Sequence, residues 1–275
     1  MYAVLSFVLF ALLAQDRSPA VAPKDLSRGR TVSLLGDSIL DIHEGEHRVE
    51  AVMLRLAQRK SPRAKWTICN EAHGGQYIGP KIGEPEGVST PLFTTEKTGR
   101  FFEIVDRHPE VDAVIVNFAV NDSKVYSPEH FRKRLEALAE LLEKAYPGAR
   151  LIFCTSMYLD PAHSAPFHPE HPHVAGFRNG SSRNDYLAPY DDEIRKFTAS
   201  HGYVLADTYR RMAAEAAKGN WDLRLRQGNG GDCKDDAKHV GDMAWFDNIH
   251  PNDRGTAVIA QMLLEALTNP PAANH

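Results

Sequence analysis

The sequence predicts an α/β protein, a three-layer α/β/α sandwich around a central parallel five-stranded sheet. Short apolar runs alternate along the chain with amphipathic helical patterns, and this order favours parallel pairing of the strands. The chain has 275 residues, of which 43% are hydrophobic and 25% charged, a composition typical of a globular protein with a full core. Because no linker divides the middle, residues 28–268 are expected to form one domain.

The strands are predicted from short apolar runs. The third is the clearest, because its β-branched residues are nearly continuous, as expected for a strand that is covered on both faces. In chain order the predicted strands are Thr31–Leu35, Trp66–Cys69, Ala113–Phe118, Leu151–Cys154 and Tyr203–Ala206.

Helical patterns fill the spaces between these strands. The longest opens at Pro128 and is broken by Pro147-Gly148, and Gly202 follows the end of the next. The predicted helices are Glu46–Gln58, Pro128–Tyr146, Leu187–Ser200, Thr208–Lys218 and Asp253–Leu267.

Three segments interrupt the alternation and are predicted to be long, irregular loops. They are rich in glycine, proline or polar residues, and loops of this kind at the carboxyl edge of a parallel sheet shape substrate access. The segments are Gln76–Gly99, Asp160–Asp185 and Gly219–Met243.

Residues 1–22 differ from the rest of the chain. The apolar run from Ala3 to Ala14 has the length of a signal-peptide core and is short for a membrane span, so the segment is predicted to be a signal peptide or N-terminal tail. A secreted or periplasmic location follows from this interpretation. No Lys or Arg precedes the run, and a buried N-terminal helix is the alternative. No later segment reaches transmembrane length, so no stable membrane insertion is expected.

Charge and cysteine content exclude several classes of protein. The formal net charge of -4 offers no basic surface for nucleic acid. Cys69, Cys154 and Cys233 are too far apart for a disulfide framework or a CxxC metal site, so buried free thiols are expected. One bridge involving Cys233 is the alternative in an exported protein. Nothing in the sequence indicates the oligomeric state.

Three residues supply the groups of an acyl-transfer enzyme. Ser38 follows the first predicted strand, and a serine hydroxyl needs an oriented base within hydrogen-bond reach to become a nucleophile. His250 can take the proton through one ring nitrogen, and Asp247, three residues earlier, can bind the other. The nucleophile-elbow pattern G-x-S-x-G is absent around Ser38, which argues against an α/β-hydrolase elbow.

A tetrahedral intermediate also requires hydrogen-bond donors for its oxyanion. The backbone N–H of Ser38 is one candidate. A second is the N–H of Gly74 or Gly75, where the missing side chain permits close approach. The third is the side-chain amide of Asn121, just past the third predicted strand.

These residues resemble the SGNH (GDSL-type) hydrolases over about residues 31–265. Four segments fall in the order of the four blocks of that family: Gly36-Asp37-Ser38-Ile39, the turn from Asn70 to Gly75, Ala119-Val120-Asn121-Asp122, and Asp247-Asn248-Ile249-His250. The resemblance implies a flavodoxin-like fold, Ser38 as nucleophile, His250 as base and Asp247 as its orienting group. It implies Gly75 and Asn121 in the oxyanion hole. The third block has Ala119 where the family usually has glycine.

Other motifs have weaker functional interpretations. Residues 43–47 match the zinc-protease pattern H-E-x-x-H, but Gly45 is central and a loop is expected there, which favours a polar approach to the next helix. Asp37 and Asp122 are either hydrogen-bonding supports or turn formers. A histidine-rich segment is interpreted as a substrate-side loop or a metal site, and two tryptophans as loop anchors or sugar-stacking groups. These residues are His163, His168, His171, His173, Trp221 and Trp245.

The sequence thus predicts a serine esterase that hydrolyses carboxylic esters through an acyl-enzyme, without a metal or other cofactor. The expected substrate is a small-molecule or glycan ester. Carbohydrate O-deacetylation is preferred, because the predicted loops are polar and export is expected. The alternatives are a lipase, lysophospholipase or thioesterase acting on longer acyl groups, and a non-catalytic carbohydrate-binding protein on the same fold.

Overall fold

The computed structural model describes residues 29–41, 45–79, 91–93, 99–158, 183–218, 224–226, 246–251 and 253–269. The strands are β1 (Thr31–Gly36), β2 (Thr67–Asn70), β3 (Ala113–Asn117), β4 (Arg150–Cys154), β5 (Val204–Ala206), β6 (Arg224–Arg226) and β7 (Phe246–Pro251).

Five of these strands form one parallel sheet in the order β2-β1-β3-β4-β5. The predicted α/β/α sandwich with a parallel five-stranded sheet is therefore confirmed. Each end of a predicted strand lies within one residue of the observed end.

The helices connect the strands of the central sheet. They are α1 (Ser38–Asp41), α2 (Val49–Lys60), α3 (Arg100–Arg107), α4 (Pro128–Ala145), α5 (Arg183–His201), α6 (Thr208–Ala216) and α7 (Asp253–Thr268). Two short 3₁₀ helices cover Gly45–His47 and Asp122–Lys124.

Each face of the sheet buries its own hydrophobic cluster, because successive strand residues point to opposite sides. Ile115 of β3 belongs to the same cluster as Leu263 of α7, whereas the next residue, Val116, belongs to the cluster of Phe131 on α4. Helices α2, α6 and α7 pack together on one face, and α4 and α5 pack together on the other. The sheet is thus the middle of three layers.

The helices differ from the prediction in one added helix, α3, and in the starts of two others, since α2 begins at Val49 rather than Glu46. Helix α3 lies directly after a segment predicted to be irregular, and its eight residues are too few for a clear periodic pattern. Helix α5 begins at Arg183 rather than Leu187, so the last residues of the predicted loop Asp160–Asp185 are helical. Pro189 lies inside this helix and lacks a backbone N–H, which is why the pattern favoured a later start.

The structure contains a small second sheet that the sequence did not indicate. Strands β6 and β7 pair antiparallel, and β6 falls within the segment Gly219–Met243 that was predicted to be irregular. His250 therefore lies on a strand. The pairing joins two polar segments that are distant in sequence, so local hydrophobic periodicity gives no sign of it.

The cysteines and the helices also bear on the earlier expectations. Cys154 is buried and Cys69 is half-buried, both as free thiols, while Cys233 lies outside the described residues.

In the part of the chain that the structure describes, no helix combines the length and the apolar character that a membrane crossing needs.

The strand order also locates a crevice. Strands β1 and β3 are neighbours, and the chain runs from β1 to β2 on one side of this pair and from β3 to β4 on the other. In such sheets ligands bind beyond the carboxyl ends of the strands at this point of reversal. Ser38 lies just past the end of β1.

Candidate active site

Ser38 is the first residue of α1 and follows a close approach between β1 and β3. A Cβ atom on Gly36 would lie 2.8 Å from the carbonyl oxygen of Asn117 and 3.0 Å from Leu40 Cδ1, so only glycine fits there without displacement. The turn after Gly36 is fixed by Asp37, whose Oδ1 accepts a 2.9 Å hydrogen bond from the Ile39 N–H. The serine is thereby held at the carboxyl edge of the sheet.

His250 lies in hydrogen-bond contact with Ser38. Its Nε2 atom is 2.8 Å from Ser38 Oγ, although the two residues are 212 positions apart. This distance is within the range that a general base requires to take the hydroxyl proton. The structure thus brings together the two side chains that the sequence paired as nucleophile and base.

Asp247 lies three residues before His250 on β7. Its side chain is outside the part of the structure that can be described, so its predicted contact with the His250 ring stays a prediction.

The loop after β2 presents two adjacent glycines beside Ser38. The Gly74 N–H donates a 3.2 Å hydrogen bond to Asp41 Oδ2, and a Cβ on Gly74 would lie 3.9 Å from Ser38 Cβ. Gly75 has φ +77°, a left-handed conformation that glycine adopts without strain. Since Asp41 occupies the Gly74 N–H, the geometry favours Gly75 as the free backbone donor.

Asn121 follows β3 and is held at both ends of its amide. Its Nδ2 donates to the Gln76 carbonyl oxygen at 3.2 Å, and its Oδ1 accepts from Lys124 Nζ at 3.0 Å. The Gln76 contact links Asn121 directly to the loop that carries Gly75. One Nδ2 hydrogen remains available to a substrate oxygen.

The backbone before Asn121 is unusual at Ala119. This residue is fully buried and has φ +152°, a conformation that favours glycine over alanine. Its carbonyl oxygen accepts the Ser123 N–H at 2.8 Å, so the turn forms with alanine in place.

The sequence did not indicate the residues that tie these loops together. Asn70 donates from Nδ2 to the Leu40 carbonyl oxygen at 2.9 Å and to Glu50 Oε2 at 2.8 Å. Its Oδ1 accepts the Ala72 N–H at 3.0 Å. Asn70 thus fixes the end of β2 against α1 and α2, and with Asp41 it holds the glycine loop beside Ser38. Only the tertiary fold reveals these partners.

Asp37 and Asp122 are buried carboxyl groups beneath the site, 1% and 0% exposed. Burial raises the pKa of Asp37 to about 6, against the opposing effects of the Ile39 N–H and of the charges on His250 and Lys124. Burial also raises the pKa of Asp122 to about 8, and the negative charge of Asp37 adds to this shift. The interpretation as hydrogen-bonding support fits both residues, because each accepts a backbone N–H.

The remaining motifs do not join this site in the described structure. The backbone at Gly45 has φ +58°, so the H-E-x-x-H segment is not a continuous α-helix, and His47 Nδ1 instead contacts Asp253 Oδ2 at 2.9 Å. Among the described residues there is no group of three or more potential metal ligands. Several residues considered earlier lie outside the described residues: His43, Glu44, His163, His168, His171, His173, Trp221 and Trp245.

Comparison with known proteins identifies related sequences and folds. Residues 34–258 match the model of the GDSL-like lipase/acylhydrolase family. No curated protein matches the chain in sequence.

Solved structures share the fold at low sequence identity. LAE5, an alpha/beta hydrolase enzyme from the metagenome of Lake Arreo in Spain, is 18% identical with a TM-score of 0.57, covering 88% of this chain and 97% of that chain. Axe2, an acetylxylan esterase from Geobacillus stearothermophilus, is 15% identical with a TM-score of 0.54, covering 92% and 100%. The acetyl xylan esterase AlAXEase is 18% identical with a TM-score of 0.55, covering 86% and 98%.

Proposed function

Because this chain belongs to the GDSL-like lipase/acylhydrolase family and is a carboxylic ester hydrolase, we propose that it cleaves its substrate through an acyl-enzyme on Ser38. The observation that carries this proposal is the 2.8 Å contact between His250 Nε2 and Ser38 Oγ. The contact gives a weakly nucleophilic alcohol a base within direct reach.

The reaction proceeds in two halves. His250 Nε2 takes the Ser38 proton while Oγ attacks the ester carbonyl carbon, and the tetrahedral intermediate collapses as His250 protonates the leaving alcohol. A water molecule then gives its proton to His250 and attacks the acyl-enzyme, which releases the acid and restores the Ser38 hydroxyl. Asp247 orients the imidazole and stabilises its protonated form.

The oxyanion of both intermediates requires donors that are in place before the reaction. The Ser38 N–H, the Gly75 N–H and Asn121 Nδ2 fill this role. The links from Asp41 to Gly74 and from Asn121 to Gln76 support it, because they hold the loops that carry these donors.

For the substrate, we infer an O-acetylated carbohydrate. The fold is shared with the acetylxylan esterase Axe2 and with AlAXEase, and the segments predicted to border the site are polar. No metal or organic cofactor takes part in the proposed steps.

The catalytic proposal is tested by replacing the nucleophile. Ser38→Ala is expected to lower kcat on p-nitrophenyl acetate by at least about a thousandfold, since removal of a triad nucleophile leaves only binding and oxyanion stabilisation. Ser200→Ala, at an exposed position on α5, is the matched control and should retain full activity. Mass spectrometry should find an acetyl group on the Ser38 peptide of the wild type after rapid acid quenching. Retained activity in Ser38→Ala would contradict the proposal.

The substrate class requires a separate assay. We expect acetate release from acetylated xylan by the wild type and not by Ser38→Ala, with faster turnover of p-nitrophenyl acetate than of p-nitrophenyl octanoate. A preference for octanoate would indicate a long-chain acylhydrolase. Activity on p-nitrophenyl acetate without release from any acetylated glycan would contradict the carbohydrate proposal alone.

We also propose that residues 1–22 direct export and that residues 28–268 form the hydrolase domain. Amino-terminal sequencing of the protein from a secreting bacterial host should find a mature start after the apolar run. Retention of the protein in the cytoplasm with an intact Met1 would contradict the export proposal.

A further inference from the structure

One buried carboxyl group joins the two loops that supply the oxyanion donors. Asp122 directly follows Asn121, and its Oδ1 accepts the Ile78 N–H at 2.9 Å. Ile78 lies three residues after Gly75. The position of Asp122 therefore couples the segment that carries Asn121 to the segment that carries Gly75.

The second carboxyl oxygen of Asp122, Oδ2, accepts no hydrogen bond. Asp122 is 0% exposed, and its Oδ2 is buried without a hydrogen-bond partner. Asp37 Oδ2 is buried without a partner as well, so two nearby acidic groups present acceptors that no donor satisfies. An ionised carboxylate in such surroundings is strongly disfavoured. A proton on the acid removes the buried charge and adds the missing donor.

Of the groups that face Asp122, Asp37 from the turn before Ser38 carries the negative charge that opposes ionisation. The phenols of Tyr126 and Tyr190 also face Asp122, but they are uncharged near neutral pH and donate to the backbone carbonyl oxygens of Gly79 and Tyr126. Lys124, and His250 when it is protonated, act on Asp37 in the opposite sense and lower its pKa. Consistently, burial and the Asp37 charge raise the pKa of Asp122 to about 8.

We propose that Asp122 is a positioning residue that holds the two oxyanion-donor loops together as an uncharged carboxylic acid. Its ionisation places a negative charge behind the donors, where it opposes the negative charge that develops on the substrate oxygen. Asp122 thereby sets an alkaline limit on turnover. This inference rests on the proposed function, because it assumes that Gly75 and Asn121 bind the oxyanion.

The test compares Asp122→Asn with Asp122→Ala. The amide of Asp122→Asn can still accept the Ile78 N–H and cannot ionise, so at about pH 7 its kcat should stay within about threefold of wild type. Asp122→Ala should lose about tenfold to a hundredfold in kcat with little change in KM, because the loops are no longer joined. Above about pH 8 the wild type should lose kcat while Asp122→Asn does not.

Two results would overturn the proposal. The first is a pH profile of Asp122→Asn that superimposes on the wild-type profile. The second is a loss of activity in Asp122→Asn at about pH 7 as large as in Asp122→Ala, with wild-type circular dichroism in both. Failure of the proposed function is distinguished by Ser38→Ala, which would then remain active.

A measurement that needs no turnover keeps the inference testable if a variant folds poorly. Infrared difference spectra of the wild type between about pH 7 and 9 should show loss of a protonated carboxyl band. Ser38→Ala should show the same loss, because the signal comes from the buried acid and does not need turnover. Absence of that band at about pH 7 in folded wild-type protein would also overturn the proposal.

Discussion

At the scale of single residues, the direction of the Asn121 amide is set by two partners. The oxygen and nitrogen ends of a carboxamide are similar in size, but only the nitrogen end can donate to an oxyanion. Lys124 Nζ donates to Oδ1, and the Gln76 carbonyl accepts from Nδ2. Both contacts favour the same orientation. Lys124 is therefore a positioning residue for the proposed oxyanion donor.

Replacing Lys124 should weaken this orientation. Lys124→Met is expected to lower kcat on p-nitrophenyl acetate by up to about tenfold, which is less than the loss of a whole oxyanion donor. The KM value should change little, and Lys124→Arg should restore most of kcat because it retains a cationic donor. The exposed position makes a folding defect in Lys124→Met small. A raised KM with unchanged kcat would instead assign Lys124 to substrate binding.

At the scale of secondary-structure elements, the position of His250, the proposed base, depends on how β7 and α7 are anchored. Asp253 begins α7 three residues after His250, and its Oδ2 contacts Nδ1 of His47, just before α2. Helices α2 and α7 also pack on each other. The pair thus fastens the segment that carries His250 to the layer of helices beside it.

Breaking the contact between His47 and Asp253 should have only a small effect on activity. Both side chains are partly exposed, and such pairs contribute about 1 kcal/mol or less. We expect His47→Ala to lower kcat by no more than about fivefold. His130→Ala, at an exposed position on α4, is the control. A loss as large as that of Ser38→Ala would show that His47 has a direct part in the reaction.

The elements differ in how far the sequence could predict them. The strand Ala113–Asn117 is buried at every position, so its apolar run was a sufficient signal. The contact between Ser38 and His250 could be anticipated because their motifs lie at element ends. Asp41 and Lys124 were not found, since their roles depend on hydrogen bonds to Gly74 and to one end of an amide. Such contacts arise only after the loops meet in the folded protein.

At the scale of the whole molecule, buried acids link stability to pH. Burial raises the pKa of Asp37 and Asp191 to about 6 and that of Asp122 to about 8. The folded state therefore binds these protons more tightly than the unfolded state does. Their contribution to stability is fully present below about pH 4 and is lost as the pH rises through these values. The pKa values of Glu71 and Asp207 are lowered in the folded protein, so the stability that these two groups contribute is lost as the pH falls.

We therefore expect the free energy of unfolding to fall as the pH rises from about 5 to 8. Each of the three acids adds to this fall between its unfolded and folded pKa values, where the unfolded chain has lost the proton and the folded protein has kept it. Urea unfolding at several pH values measures this, and Asp122→Asn should flatten the fall between about pH 6 and 8. A free energy of unfolding that rises across this interval would contradict the expectation.

The contact between Ser38 and His250 joins residues 212 positions apart. During translation the proposed nucleophile leaves the ribosome long before the proposed base is synthesised, so a nascent chain is expected to be inactive toward esters. We therefore expect hydrolytic activity to appear only once the segment that carries His250 has joined α1 and α7, which in turn packs against α2. Appearance of activity during refolding would accordingly report the docking of the last helix rather than formation of the sheet.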